Sequence, residues 1–250
     1  MIKNYLELPS GSDASYRRLS LEDFERAGIR VAERRYGAQE AIFAPGDPDG
    51  HLYFVLSDTV RLYKLYGDYK EATIALLKDG DLFGELSLPE GAGQTLFAHA
   101  LTDVRVAVVQ KSVLVEVTKR DSELVMKLFS SLCERLEQSE EVIGSLLDRE
   151  VSARLTKLLR NLGNRFGETN GSATVLDMRL THQDLANMIA STREAVSKVM
   201  SEFQRDGLIE VRNRKIAISP RMARNTLGGS PSIPGAADVY GEVTSDVRVA

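Results

Sequence analysis

Residues 180–218 read LTHQDLANMIASTREAVSKVMSEFQRDGLIEVRNRKIAI, and how this stretch divides decides the organisation of the chain. Thr181 and Asp184 stand three apart, as do Ser191 and Glu194. In each pair a hydroxyl can accept from the amide three residues on while the carboxylate reaches back, the capping box that starts a helix. Two helices are therefore expected, one from THQDLANMIA and one from STREAVSKVMSEFQRDG, the second stopped by Gly207. Leu185, Met188 and Ile189 make the buried side of the first. Ala195, Val196, Val199, Met200 and Phe203 recur at helical spacing in the second. Its opposite face carries Arg193, Glu194, Ser197, Lys198 and Ser201, which taken alone is an ordinary solvated surface. Two short capped helices joined by a turn of a few residues form a helix-turn-helix. The following DGLIEVRNRKIAI reads as strand, turn and strand with Arg212, Asn213, Arg214 and Lys215 at the tip, a basic wing.

Upstream, from about Leu19 to Val117, the pattern is all-β after a short helix around LSLEDFERAGI. The segments AIFA, HLYFVL, TVRLYKLY, ATIALL, FAHALT and VRVAVV are broken by APGDPDG, SD, YGDYKE, LKDGD and PEGAGQ. Short strands at this spacing favour a jelly roll or barrel. The period then changes. Val125, Phe129, Leu132, Leu136, Ser139, Ile143 and Leu146 are separated alternately by four and three residues, a heptad seam. It predicts a long helix whose stripe packs either on its own β-domain or on a second copy. Val142 and Leu147 widen the stripe and favour the copy. A helix from REVSARLTKLLRNLGNRFG, a polar loop GETNGSA and a short strand TVLDMRL lead into the helix-turn-helix. The expected class is α+β: a β-roll over 1–118, a dimerisation helix over 119–148, a winged helix-turn-helix over 149–224, and a flexible Gly/Ser/Pro-rich tail over 225–250.

The 250 residues are 43% hydrophobic and 27% charged, a composition typical of soluble globular chains. Net charge is −4, but its distribution is uneven. Residues 1–150 hold 18 Lys+Arg against 26 Asp+Glu, whereas residues 151–224 hold 13 against 7. Only the second region is suited to a polyanion. No apolar run approaches about 18 residues, and MIKNYLELPSGSD lacks a signal-peptide pattern, so a cytoplasmic location away from membranes is expected. The single Cys133 excludes a disulfide framework and an iron–sulfur cluster. With three His, no nucleophile motif and no phosphate loop, an enzyme is not expected.

On GDLFGELSL at 80–88, on the whole of 180–218, and on ERLEQSEEVIGSLLDREVSARL at 134–155, the chain resembles the Crp/Fnr superfamily of bacterial transcription regulators. Within it, the similarity is greatest to the global nitrogen regulators of cyanobacteria. The resemblance covers residues 20 to about 220. It implies a cyclic-nucleotide-binding-like β-roll, a dimer helix with the seam Val125, Phe129, Leu132, Leu136, Ile143 and Leu146, and a DNA-binding winged helix. It makes Arg193 and Glu194 base readers with Lys198 as a third. A guanidinium bonds guanine O6 and N7, and a carboxylate accepts from cytosine N4. Thr181, Gln183, Ser191, Thr192, Arg214 and Lys215 are then backbone contacts. A palindrome with half-sites near TGT and ACA, DNA bending and contact with RNA polymerase are further implications. Ala190 stands where the family often has Gly, so the turn either avoids positive φ or carries modest strain.

The effector pocket implied by the resemblance comprises Gly84, Glu85, Leu86, Ser87, Arg135, Ser139 and Glu140. A cyclic nucleotide would lack its phosphate partner, since no Arg lies between Lys78 and Arg105. For 2-oxoglutarate, Arg135 and Glu140 match, but Leu96 stands where the family's second Arg would be. Glu85 also replaces an apolar residue. Three readings stay open: 2-oxoglutarate, a cyclic nucleotide, or no effector. Arg135 serves equally in a plain ion pair. The leading expectation is a homodimeric sequence-specific DNA-binding regulator. The alternative is a ligand-binding β-roll whose basic domain docks protein.

Overall fold

A computed structural model describes residues 19–47, 50–67, 70–87, 93–212 and 214–224. The tail from Asn225 and the wing-tip Asn213 lie outside the described residues. After α1 (Leu21–Arg26) come eight strands: β1 (Ala32–Tyr36), β2 (Ala41–Phe43), β3 (His51–Ser57), β4 (Val60–Tyr66), β5 (Lys70–Leu77), β6 (Leu82–Phe83), β7 (Phe97–Ala100) and β8 (Val104–Gln110). They form two antiparallel four-stranded sheets, ordered β1-β8-β3-β6 and β2-β7-β4-β5.

Between the sheets lie Phe43, Tyr53, Val55, Leu62, Phe83, Val104, Val106 and Val108. From β8, Ala107 and Val109 point the other way, into a second core with Phe24, Leu52, Phe54, Leu114, Val117 and Leu124. Both faces of β8 are thus covered from Val106 to Val109, which is why VAVV is a continuous apolar run after the exposed Arg105.

The helices covering that outer face include one that the strand pattern does not predict. Lys111–Thr118 forms α2, inside the region expected to be all-β. Its Val and Thr content favours strand locally, but Leu114 and Val117 reach the second core only at helical spacing, and tertiary burial decides.

Helix α3 (Ser122–Leu146) follows, capped by Asp121. It faces the β-roll with Leu124, fully buried, and Lys127. Lys127 Nζ lies 2.6 Å from Asp23 Oδ1, both side chains being nine-tenths buried or more. Burial pushes the Asp23 carboxyl up, but hydrogen bonds from Lys127 and Ser20 outweigh it and hold the acid below its ordinary 3.8. The seam does not pack on its own domain. Phe129, Leu136 and Ile143 are each about 60% exposed, and Val125, Leu132 and Leu146 are exposed with them.

Helix α4 (Val151–Phe166), β9 (Gly167–Asn170), β10 (Ala173–Leu176), α5 (His182–Met188), α6 (Arg193–Arg205), β11 (Ile209–Arg212), β12 (Lys215–Ile218) and α7 (Pro220–Arg224) complete the described residues. The expected polar loop GETNGSA is instead a hairpin. β9 pairs with β10, turning at Gly171 with φ +64°, and the sheet runs β11-β12-β10-β9. Pairing with β10 supplies the backbone partners that make β9 a strand, and no apolar period announces it. Leu155, Leu159, Leu176, Leu185, Val196, Met200, Ile216 and Met222 share one core here.

Replacing Asp23 by Ala should leave Lys127 charged and buried with only the half-exposed Glu123 carboxylate, 3.6 Å away, as partner. Stability is expected to fall by about 3–5 kcal/mol, measured as a drop in urea midpoint at neutral pH. The depressed acid contributes its stability above 3.8 and loses it as pH falls through the lower folded value, so the gap between variant and parent should narrow in acid.

Candidate nucleic-acid interface

Helix α5 begins as the sequence leads one to expect. Thr181 Oγ1 accepts from the Asp184 amide at 3.0 Å, and Asp184 Oδ2 accepts from the Thr181 amide at 2.8 Å. The start of α6 is displaced by one residue. Its N-cap is Thr192, not Ser191, and Thr192 Oγ1 accepts from the Ala195 amide at 3.2 Å. The amide of Ser191 is spent on the preceding turn, donating to Ala186 O at 3.0 Å. That turn passes through Ala190 at φ +49°, so the strain that Gly would avoid is present. A residue without any signal in the local pattern holds the turn from below: Arg154 of α4 donates through Nη1 to Ile189 O at 2.7 Å and to Ala190 O at 3.3 Å.

Val196, Val199, Met200 and Phe203 are buried, which fixes the rotation of α6. Arg193, Glu194 and Lys198 are left exposed side by side on its outer face. Among the described residues no ion pair engages any of the three. His182 Nδ1 and Ser197 Oγ, 2.7 Å apart, tie α5 to α6.

Thr181 and Gln183 are exposed at the start of α5, Gln183 donating to Asn187 Oδ1 at 2.8 Å. Thr192 is exposed and Ser191 half-buried. In the wing, Arg214 is exposed at φ +64°, and Lys215 Nζ lies 2.7 Å from Asp177 Oδ1, both side chains well exposed. A cleft between wing and α5 brings Arg179 beside Thr181, His182 and Arg214. Arg179 is a cation not singled out from the sequence. The alternation of buried Leu176, Met178 and Leu180 with exposed Asp177 and Arg179 is the signal that locates it.

The β-roll reaches this surface. Glu71 Oε2 accepts from Arg61 at 2.7 Å and from Asn187 Nδ2 at 3.1 Å. Arg165 of α4 pairs with Asp81 at 2.9 Å, and Lys78 donates to Arg165 O.

Of the residues expected around an effector, the structure brings some together and turns others away. Gly84 has φ +90°, and a Cβ there would stand 2.9 Å from Tyr53 Cδ2 and 3.1 Å from His51 O, so only Gly fits. The single 3-10 turn Glu85–Ser87 follows. Glu85 Oε1 lies 3.0 Å from Arg135 Nη1 on α3, both side chains largely buried. Ser87 is buried, its hydroxyl donating to Gly84 O at 2.8 Å. Leu86 points outward, Ser139 spends its hydroxyl on Arg135 O at 2.9 Å, and Glu140 is exposed. Among the described residues there is no metal-binding cluster, and no helix is long and apolar enough to cross a membrane.

A capped helix pair, a basic wing and a β-roll joined by one long helix define a winged-helix DNA-binding regulator with an N-terminal β-roll. The Crp-like helix-turn-helix domain matches residues 153–223, and the cyclic nucleotide-binding domain matches 33–121. The global nitrogen regulator of Nostoc sp. (strain PCC 7120) is 32% identical over 72% of this chain and 81% of its own. The CRP-like cAMP-activated global transcriptional regulator of Mycobacterium tuberculosis is 29% identical over 73% and 83%. A solved structure of a Crp/Fnr-family transcriptional regulator from Thermus thermophilus is 27% identical, with a TM-score of 0.64, covering 78% of this chain and 99% of that one. The chain belongs to the Crp/Fnr family of transcription regulators.

Ala190→Gly should relieve the left-handed strain and raise the stability of the helix-turn-helix by up to about 1 kcal/mol. Hydrogen exchange of the α5 and α6 amides in the two proteins is the check.

Proposed function

We propose that the protein acts as a homodimer that reads a palindromic duplex by laying α6 in the major groove. The observation that carries this reading is the outer face of α6, where Arg193, Glu194 and Lys198 are exposed and, among the described residues, without an ion pair, on a helix whose rotation is locked by its core. Charged side chains without internal partners are available to base edges: Arg193 to guanine, Glu194 to cytosine, and Lys198 to guanine or phosphate without the planar fork of an Arg. Thr181, Gln183, Ser191, Thr192, Arg214 and Lys215 sit around that face as backbone contacts, which add affinity without sequence choice. Arg179 joins them.

In this reading the labour divides into a sensor unit over 1–118, the dimer helix over 119–148 and the DNA-reading unit over 149–224. The exposed seam of α3 supports self-association, because a stripe of this apolarity is stable in water only against a partner. Two α6 helices related by a two-fold would enter successive major grooves about 34 Å apart. Contact with RNA polymerase and a cytoplasmic location accompany this role.

Selection from random duplexes should return a palindrome. Arg193→Ala should relax its preference at one position per half-site, at about 1–3 kcal/mol, whereas Lys215→Ala should weaken all sequences alike and flatten the salt dependence. An unchanged motif with Arg193→Ala would end this assignment. A second check separates the seam from the reading head. Leu136→Glu should convert the dimer to monomer in sedimentation equilibrium while circular dichroism stays unchanged, and duplex affinity should fall with it.

A further inference from the structure

We propose that Arg165 is a positioning residue for DNA reading: it clamps the winged-helix unit to its own β-roll and so sets the spacing between half-sites that the dimer accepts. This deepens the DNA-binding reading above and rests on it.

Apolar packing at the joint between the two units is sparse. Helices α3 and α4 are connected through residues 147–150, where Leu147 is 81% exposed. Among the described residues, Leu76 and Leu101 are what the β-roll contributes to the core of the winged-helix unit. A cavity of about 100 Å³, lined by Ile74, Leu76, Leu158, Phe166 and Met188, lies at the same joint. Apolar contact has no preferred direction, so contacts of this kind hold the units together without fixing the angle between them.

Arg165, near the end of α4, supplies the direction. Its Nη2 donates to Asp81 Oδ2 of the β-roll at 2.9 Å, and its Nη1 donates to Gln138 Oε1 of α3 at 3.0 Å. Its carbonyl accepts from Lys78 Nζ. The acceptor is itself held, because Asp81 Oδ2 also accepts from the Lys78 amide at 2.9 Å. The Arg165 and Asp81 side chains are 27% and 18% exposed, so water screens the pair only in part. A planar fork bonded to two elements cannot turn without breaking one of its bonds. A second anchor lies on α5, where Asn187 Nδ2 donates to Glu71 Oε2 at 3.1 Å, and Arg61 fixes that carboxylate at 2.7 Å. With the chain connection at 147–150 these anchors make three points, enough to fix the orientation of a rigid unit. In a dimer paired along α3, that orientation places each α6, and the distance between the two copies is what the spacer of a palindrome must match.

The test uses the full-length chain and duplexes carrying the parent's selected half-sites, with the spacer varied in single base-pair steps and affinity read by fluorescence anisotropy. The parent should prefer one spacer sharply. Arg165→Ala should bind that duplex about tenfold more weakly and lose less on the neighbouring spacers, while the bases selected within each half-site stay the same. Arg165→Lys keeps the charge but not the fork and should give an intermediate profile. Asp81→Asn should flatten the profile in the same way, and adding it to Arg165→Ala should change little further. A profile that keeps its shape in both Arg165→Ala and Asp81→Asn overturns the proposal, even if affinity falls equally at every spacer, and so does a change in the bases selected. If Arg165→Ala does not fold, Asp81→Asn decides. A second readout needs no DNA: nitroxide labels on the exposed Arg205→Cys, in a Cys133→Ser background, report the distance between the two α6 helices by pulsed electron resonance. The distance distribution should be narrow in the parent background and broader with Arg165→Ala, and an unchanged width overturns the clamp. A parent that binds no duplex ends the DNA-binding reading, and the distance distribution then decides by itself whether Arg165 clamps the two units.

Discussion

Helix α3 has to satisfy two surfaces at once, and the rest of the molecule is arranged around how it does so. Toward the β-roll it presents Leu124 with two cations, Lys127 and Arg135, each met by a carboxylate of the roll, Asp23 and Glu85. These pairs set the rotation of the helix, because a buried cation cannot turn away from its carboxylate without a cost of several kcal/mol. With that rotation set, the seam of Val125, Phe129, Leu132, Leu136, Ile143 and Leu146 necessarily faces outward. The charges therefore secure attachment within the chain, and the apolar stripe is left for contact beyond it.

The same division recurs in the reading head. Apolar residues of α6 define which way the helix faces, and Arg193, Glu194 and Lys198 opposite them form no ion pair among the described residues. The surrounding structure pays for an imperfect turn in order to hold this arrangement. Ala190 sits in a left-handed conformation, and Arg154 reaches from α4 to hold the two carbonyls beside it. Strain that persists in this way is over-determined by its neighbours. The contact from Glu71 of the β-roll to Asn187 of α5 places the β-roll directly against the helix-turn-helix. A change in one unit thus has a short path of bonded groups into the other.

Much of this was legible from residue order alone. The helix pair, the heptad seam, the strand pattern and the wing follow from local periodicity and capping, and the Thr181–Asp184 box forms as the spacing predicts. The errors are equally instructive. The α6 cap slipped from Ser191 to Thr192 because the Ser191 amide was needed by the turn before it. The segment Lys111–Thr118 is helical in spite of its β-branched content, because only a helix lets Leu114 and Val117 share one core. GETN became a strand because β10 offered it an edge. In each case the deciding group lies on another element.

What the sequence by itself determined is most of the elements, α2 and β9 excepted, their order, and the identity of the residues on the outer face of α6, since these depend on spacing within a turn or two of chain. Only the tertiary structure decided that Arg135 meets Glu85, that Glu71 meets Asn187 at a separation of 116 residues, and that Leu86 and Glu140 point to solvent. The physical reason is that periodicity reports which face of an element is apolar and carries no information on which charged groups two folded surfaces will bring within hydrogen-bonding distance.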